Sequence, residues 1–547
     1  MKKKILLPFL ILCAFSVKAQ FNNSWIDYSK TYFKFKINTD NITRIPQSTI
    51  AAGGLAAVNA DNFQLWRNGQ EVRIFTSVSG TVLGNTDFIE FYGEMNDGKA
   101  DAPLYKEPQF QLADRYSLET DTSTYFLTQN TTGVNLRYTN SINTAPGTAT
   151  PDAYFMRNIN LFYKANLNRG YAQDLGEYVY SSAYDNGEGF TTGDNNINSP
   201  FVETISGLNV YTSGPPNSLS VRAKVFSNTD NLQRTISLKL FGNILSSLIT
   251  TNTSQAVFNV TSQPLSYLQN TSSATISITN SNLSNPAITD RFVVATVGIT
   301  YPSIFNFNNS KSFPFELAAS ATGNNLEIDN FNFGTVSPVL YDINNGRRYT
   351  GDVTSTPGKV KFVLPVSTDA VRKFILNNVE SSNIITVNSL LTKNFVDYNT
   401  AATQGDYVII SNPVLYNNGV GVNNVELYRA YRNSVNGGGF NAKVYDINEL
   451  TDQFGFGIKS HPDAVRNFVR FMDVQYPVKP KFIFIIGRGV TYQGKRPQES
   501  NPIAAQLDLV GTFGWPASDN LLVSQPGTTV PITPIGRLGA ISGNEVG

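Results

Sequence analysis

Tyr407-Val408-Ile409-Ile410 and Lys481-Phe482-Ile483-Phe484-Ile485-Ile486 decide the fold. Both are short apolar runs rich in β-branched and aromatic side chains, the composition of strands buried on both faces of a sheet. The sequence between them has the helical period. Val422 to Val435 carries apolar residues at Val422, Val425, Leu427, Tyr428 and Tyr431, which predicts a helix packed on a sheet. Gly437-Gly438-Gly439 ends it, and Lys443-Val444-Tyr445-Asp446-Ile447 reads as the next strand. Ser460 then opens a helix whose Ala464, Val465, Phe468 and Met472 share one face, with Pro462 tolerated in the first turn. Pro534-Ile535-Gly536-Arg537-Leu538 has the look of another strand end. Alternating strands and helices predict a parallel sheet with right-handed crossovers, whose sites form beyond the carboxyl ends of the strands. The edge concerned is the Gly487–Gly494 loop. Because Gly547 comes before an evident domain end, the expectation for 405–547 is an incomplete α/β domain.

Almost everything upstream has the period of two. Thr31-Tyr32-Phe33-Lys34-Phe35-Lys36-Ile37 alternates polar and apolar side chains over most of its length, as a half-buried strand requires. Phe63-Gln64-Leu65-Trp66 and Glu71-Val72-Arg73-Ile74-Phe75 flank Asn68-Gly69, a pair that tolerates positive φ at both positions of a tight hairpin. Asp87-Phe88-Ile89-Glu90-Phe91-Tyr92-Gly93 continues the pattern, and residues 20–150 are expected to form a small β-rich domain. Strands resume with Leu219–Val225, Thr235–Leu240 and Phe292–Tyr301, followed by Pro338–Asp342 and Val360–Leu364. The whole stretch 151–400 is expected to be a β-sandwich region of jelly-roll type.

The amino terminus has the layout of a secretory signal: Lys2-Lys3-Lys4, an apolar run from Ile5 to Val17, and Val17 and Ala19 where a signal peptidase reads. The run is short for a bilayer span. Cys13 could suggest a lipid anchor, but Leu12 stands where that anchor wants a small residue, so cleavage after Ala19 is expected, with residues 1–19 removed. Cys13 is the single cysteine, so the processed chain would hold no disulfide and no thiolate metal site. A net charge of +1 with 15% charged residues lacks the basic stripe of a nucleic-acid binder. An exported protein at the cell surface or outside the cell is the expectation.

Few residues invite a chemical role. Gly489-Val490-Thr491-Tyr492-Gln493-Gly494-Lys495 has the spacing of a phosphate-binding loop, but Arg496 and Pro497 follow where Ser or Thr and a helix are needed, so no nucleotide is expected. His461, the only histidine, lies between Ser460 and Pro462 and reads as an exposed turn or capping residue. One histidine without cysteine makes zinc a poor fit. Calcium is the better metal candidate, at Asp185-Asn186-Gly187-Glu188 or Asn96-Asp97-Gly98, although neither is a complete calcium loop and ordinary turns use the same residues. No spacing singles out a carboxylate pair for glycoside hydrolysis. Asp519 precedes a strand expected at Leu521-Leu522-Val523 and could face the sheet edge or sit in a solvated turn. No catalytic, cofactor or metal residue is assigned.

The terminal segment resembles the first half of a gingipain-type cysteine peptidase domain, through Asp406–Ser411, Ala442–Tyr445, the Ala464–Phe471 helix, Phe482–Gly487 and Ile535-Gly536-Arg537-Leu538. Upstream, Trp25-Ile26-Asp27-Tyr28, Phe63–Gly69 and Tyr341-Asp342-Ile343 resemble the β-rich leader of the sortase-like branch, which serves type IX secretion in Bacteroidetes-type bacteria. The resemblance implies a caspase-like α/β fold after β-rich sandwich-type domains. It also implies a His/Cys mechanism on later strands, protein substrates and outer-membrane secretion components as partners. His461 does not match the family's catalytic histidine, and Gly487-Arg488 stands where many members have Gly-Asp. The resemblance therefore implies the amino-terminal part of an exported peptidase or transpeptidase, inactive as this chain. The competing expectation is a secreted binding or scaffold protein without catalysis.

Overall fold

A computed structural model describes residues 21–143, 150–171, 183–228, 233–251, 253–282, 290–514, 516–525 and 527–547, so the expected signal segment lies outside the described residues. The amino-terminal unit pairs two sheets. One runs in the order Leu391–Lys393, Tyr32–Ile37, Ser123–Gln129, Phe63–Arg67, Gln70–Val72. The other runs Ile385–Thr386, Asn41–Pro46, Phe88–Gly93, Phe75–Thr76. Phe33, Phe35, Ile45, Ile89, Phe91 and Leu127 fill the space between them. The alternation of Tyr32–Ile37 turns Phe33, Phe35 and Ile37 into this core. Asn68 and Gly69 take φ of 48° and 71° in the hairpin between Arg67 and Gln70, the backbone that Asn-Gly permits.

The sequence between 150 and 380 holds two further β units, each with its own core. In the first, two four-stranded antiparallel sheets enclose Leu219, Val221, Ile236, Leu238, Ile276 and Val297. In the second, a sheet that includes Ser312–Leu317 and Arg372–Asn377 packs on Asn306–Ser310, Asn324–Phe331 and Lys359–Leu364 around Phe307, Phe315 and Phe362. The last strands before 400 return to the amino-terminal unit: Leu391–Lys393 pair with Tyr32–Lys34, and Ile385–Thr386 with Thr43–Arg44.

The terminal segment is the expected α/β unit. Its elements are β1 (Tyr407–Ser411), α1 (Asn424–Asn433), β2 (Ala442–Asp446), α2 (Ile447–Phe454), α3 (Asp463–Gln475), β3 (Phe482–Ile486) and β4 (Ile535–Leu538). All strand pairs are parallel and the order is β2-β1-β3-β4. Tyr407, Ile409 and Ile486 face α1, while Val408, Ile410, Ile483 and Ile485 face α2 and α3. Among the described residues no helix is long and apolar enough to cross a membrane.

Three local expectations are corrected. On α1, Val425 reaches the sheet and Tyr428 bonds Tyr407 through their hydroxyls at 2.8 Å, but Leu427 and Tyr431 are 58% and 51% exposed, so the buried stripe is narrower than the sequence pattern. Ile447 opens α2 instead of ending the strand, because Asp446 accepts the Asn448 N–H and caps a helix there. Asp519–Val523 form a 3₁₀ turn instead of a strand, which sinks Leu521, Leu522 and Val523 against α3.

The core under α3 crosses a unit boundary. Phe468, Phe471 and Met472 share one apolar cluster with Phe21, Leu104, Tyr105, Leu118, Tyr184 and Tyr398 from the β-rich part. Phe21 meets Phe471 edge-on with ring centres 5.9 Å apart.

Candidate functional site

At the carboxyl end of the parallel sheet, three loops are held together by one side chain. Gly487 ends β3 with φ of 146°, and a Cβ there would stand 2.8 Å from a Val510 methyl, so only glycine fits. The Arg488 carbonyl accepts the N–H groups of Leu509 and Val510 at 2.9 and 3.0 Å, while its own N–H donates to Ala540. Arg537, on β4, points into this knot. Its Nε and Nη2 donate to the two Asp519 carboxylate oxygens at 2.8 Å each. Its Nη1 donates to the Gly487 and Val510 carbonyls, both at 2.8 Å, and Nη2 to that of Gly511 at 3.1 Å. A guanidinium has five N–H bonds and all of them are used. Asp519 therefore does face the sheet edge, as the partner of an arginine.

Beside the knot lies a chain of buried charges that joins the α/β unit to the β-rich part. Lys495 Nζ sits 2.7 Å from Glu119 and 3.1 Å from Asp508. Asp508 also accepts the Ser460 hydroxyl at 2.6 Å and the Val490 N–H at 3.0 Å. Burial pushes the Asp508 carboxyl up, but the Lys495 charge and these donors outweigh it and hold it below the usual range. Arg496 donates to Asp121 at 2.5 Å and to the Ser117 carbonyl at 3.1 Å, and pairs with Glu499. The lysine of the phosphate-loop spacing is thus committed to two carboxylates.

His461 is corrected from exposed to buried, at 4% exposure. Its Nδ1 accepts the Asp463 N–H at 3.2 Å, the capping half of the expectation, and its Nε2 lies 3.4 Å from Asp101. The cover comes from Gly98–Leu104 of the β-rich part, which no local pattern reveals. Burial alone would lower its pKa; Asp101, Asp463 and Glu119 turn the balance to a raised value. Residues 20–547 contain no cysteine that could stand beside it.

The two calcium candidates are turned inward. Asp97 caps the 3₁₀ helix Gly98–Leu104 and pairs with Lys99. Asp185 lies 3.5 Å from Lys106, and Glu188 accepts the Asp185 N–H and the Tyr492 hydroxyl. In the second cluster the Lys106 ammonium already stands beside the Asp185 carboxylate. Among the described residues no group of three or more His, Cys, Asp or Glu is placed to hold a metal. Burial raises the Glu188 pKa from 4.5 to about 8, against the opposing donors Tyr492 and Asp185. The folded state thus keeps a proton that the unfolded chain releases. Stability from this group is full below pH 4.5 and declines as pH climbs toward about 8. Glu188→Gln should flatten that decline, which amounts to a few kcal/mol at most. Urea unfolding at pH 5 and pH 8 checks it, and an unchanged slope in the variant would count against the buried acid.

A cleft of about 310 Å³ opens between the β-rich part and the carboxyl end of the sheet. Lys34, Lys36 and Lys459 line it with Asn448, Thr451 and Asp508. Asp101, Glu119 and Asp121, which brace this region, were not legible in the sequence. Ser117-Leu118-Glu119-Thr120-Asp121 offers only alternating polarity, and its partners lie hundreds of residues away.

Residues 400–546 match the model of peptidase family C25. The chain is similar in structure to dimeric latent PorU from Porphyromonas gingivalis, with a TM-score of 0.56 and 11% identity, over 96% of this chain and 50% of that one. It spans about half the length of that protein. The carbohydrate-binding module CBM36 in complex with calcium and xylotriose gives a TM-score of 0.16 at 11% identity, over 26% of this chain and 98% of that one. The CBM36-1 domain of a xylanase from the hindgut metagenome of Trinervitermes trinervoides gives 0.16 at 15% identity, over 26% and 96%. Scores that low carry no argument. No curated protein matches the chain. The β-rich leader and the parallel sheet share the fold of PorU, and the segment 400–546 matches peptidase family C25.

Proposed function

We propose that this chain is the amino-terminal part of an exported gingipain-like cysteine peptidase, of the sortase-like kind that serves type IX secretion and acts on secreted proteins at the cell surface. The observation that carries the reading is the family match over 400–546 on a chain whose fold follows PorU from the β-rich part through the parallel sheet. In this reading the catalytic histidine and cysteine stand on strands beyond β4. Residues 20–547 supply the first four strands, the braced loops at their carboxyl ends and the β-rich units beneath. Secreted proteins are its substrates, and outer-membrane secretion components hold it in place.

The test is an assay of thiol-dependent cleavage on an unfolded secreted protein. Purified 20–547 should show none, whereas the product of the gene read beyond codon 547 should cleave and be silenced by iodoacetamide. Cleavage by 20–547 would overturn the division of labour, and an inert longer product would overturn the peptidase reading.

A further inference from the structure

Of the three lysines that line the cleft beside the sheet edge, Lys34 alone is in ion-pair contact with an acid of the wall, among the described residues. Lys34 Nζ lies 2.7 Å from Asp452, which also holds Lys393 at 3.0 Å, and Lys393 pairs with Glu449 as well. Asp508, the other acid on the wall, is taken up by Lys495 and Ser460. Among the described residues no carboxylate is in ion-pair contact with Lys36 or Lys459, although both line the same cavity of about 310 Å³. The rest of the wall includes the neutral polar side chains Asn448 and Thr451 of α2, with His461 and the apolar Ile447, Val465 and Leu509 beside them. A confined, half-neutralised cation cluster with hydrogen-bonding walls attracts an anion, because low-dielectric walls concentrate its field.

We propose that this cleft receives the carboxylate of an acidic residue in a polypeptide, with Lys36 and Lys459 as the charges that recognise it. The choice of polypeptide rests on the peptidase reading above; the charge and the cavity do not. The volume suits one or two side chains, so the cleft acts as a subsite beside the sheet edge. A bound acidic residue would sit between the β-rich part, which supplies Lys34 and Lys36, and the α/β unit, which supplies Lys459.

The experiment uses purified 20–547 and fluorescein-labelled peptides of four aspartates, four asparagines or four lysines, read by fluorescence anisotropy. The aspartate peptide should bind, weaken with added salt, and lose about tenfold in affinity in Lys36→Gln/Lys459→Gln. Both lysines are exposed residues, so the double variant should unfold at the wild-type temperature. Equal binding of the aspartate and asparagine peptides, or an unchanged affinity in the double variant, would overturn the proposal. So would inorganic phosphate displacing the peptide at concentrations where acetate does not, which would make the cleft a phosphate site. Because the measurement needs no catalysis, its failure leaves the peptidase reading standing, and an inert longer protein leaves the subsite standing.

Discussion

Lys495→Met lowers the stability of the folded chain by about 3–5 kcal/mol at neutral pH, the range expected when one partner of a buried charge cluster is removed. The methionine fills the space, but Glu119 and Asp508 are left facing each other across it, both nearly fully buried. The pH dependence separates this from a simple packing loss. In the parent chain the Asp508 carboxyl is held low, so its contribution is present above the unfolded carboxylate value and fades as pH falls through the folded one. Without Lys495 the buried Asp508 carboxyl loses the charge that holds it low and can take up a proton, so the deficit of the variant should shrink between pH 7 and pH 5. Guanidinium unfolding at both values measures it. A deficit that is the same at pH 5 and pH 7 would mean that lost contacts, and not stranded charge, cause the effect.

Arg537→Ala should remove about 2–4 kcal/mol, and its local effect should exceed its global one. Five hydrogen bonds disappear together: two to Asp519 and three to the carbonyls of Gly487, Val510 and Gly511. Arg537→Lys restores a charge but cannot span a carboxylate and three carbonyls from one ammonium, so it should recover less than half of the loss. Hydrogen exchange is the decisive readout. The N–H groups of Leu509 and Val510, bonded to the Arg488 carbonyl, should lose protection in both variants while those of β1 keep theirs. Uniform loss of protection across the sheet would instead make Arg537 a general stabiliser with no special hold on the loops.

The parts of this architecture that could be read from the sequence are those fixed by local period. The runs at Tyr407–Ile410 and Phe482–Ile486 pair in parallel as their composition predicts, and Ala464, Val465, Phe468 and Met472 are all buried on α3. Asn68-Gly69 makes its hairpin because the turn needs nothing from elsewhere. What escaped reading depends on distant chain. The periodicity of residues 422–435 gives five apolar positions, four of them on α1, but not how much of the helix the sheet reaches, so Leu427 and Tyr431 remain outside. α2 went unread because Ile447 continues the apolar rhythm of the strand before it, and a helix of 8 residues carries little pattern of its own. His461 and Lys495 read as a turn residue and a loop lysine, whereas Asp101 and Glu119, brought over them by the β-rich part, make both interior. Arg537 was legible only as part of a strand end; its role depends on carbonyls that three separate loops deliver.

The return of Leu391–Lys393 to the edge of the first sheet has a kinetic consequence. A chain that emerges amino end first cannot finish that sheet until residue 393 has appeared, and until then Tyr32–Lys34 offer an unpaired border. The two sandwiches between have cores of their own, formed entirely from residues that precede 385, and can form in the meantime. Assembly therefore runs from the middle outward: the interior modules can mature first, while the opening strands wait for residues 391–393 to close their sheet.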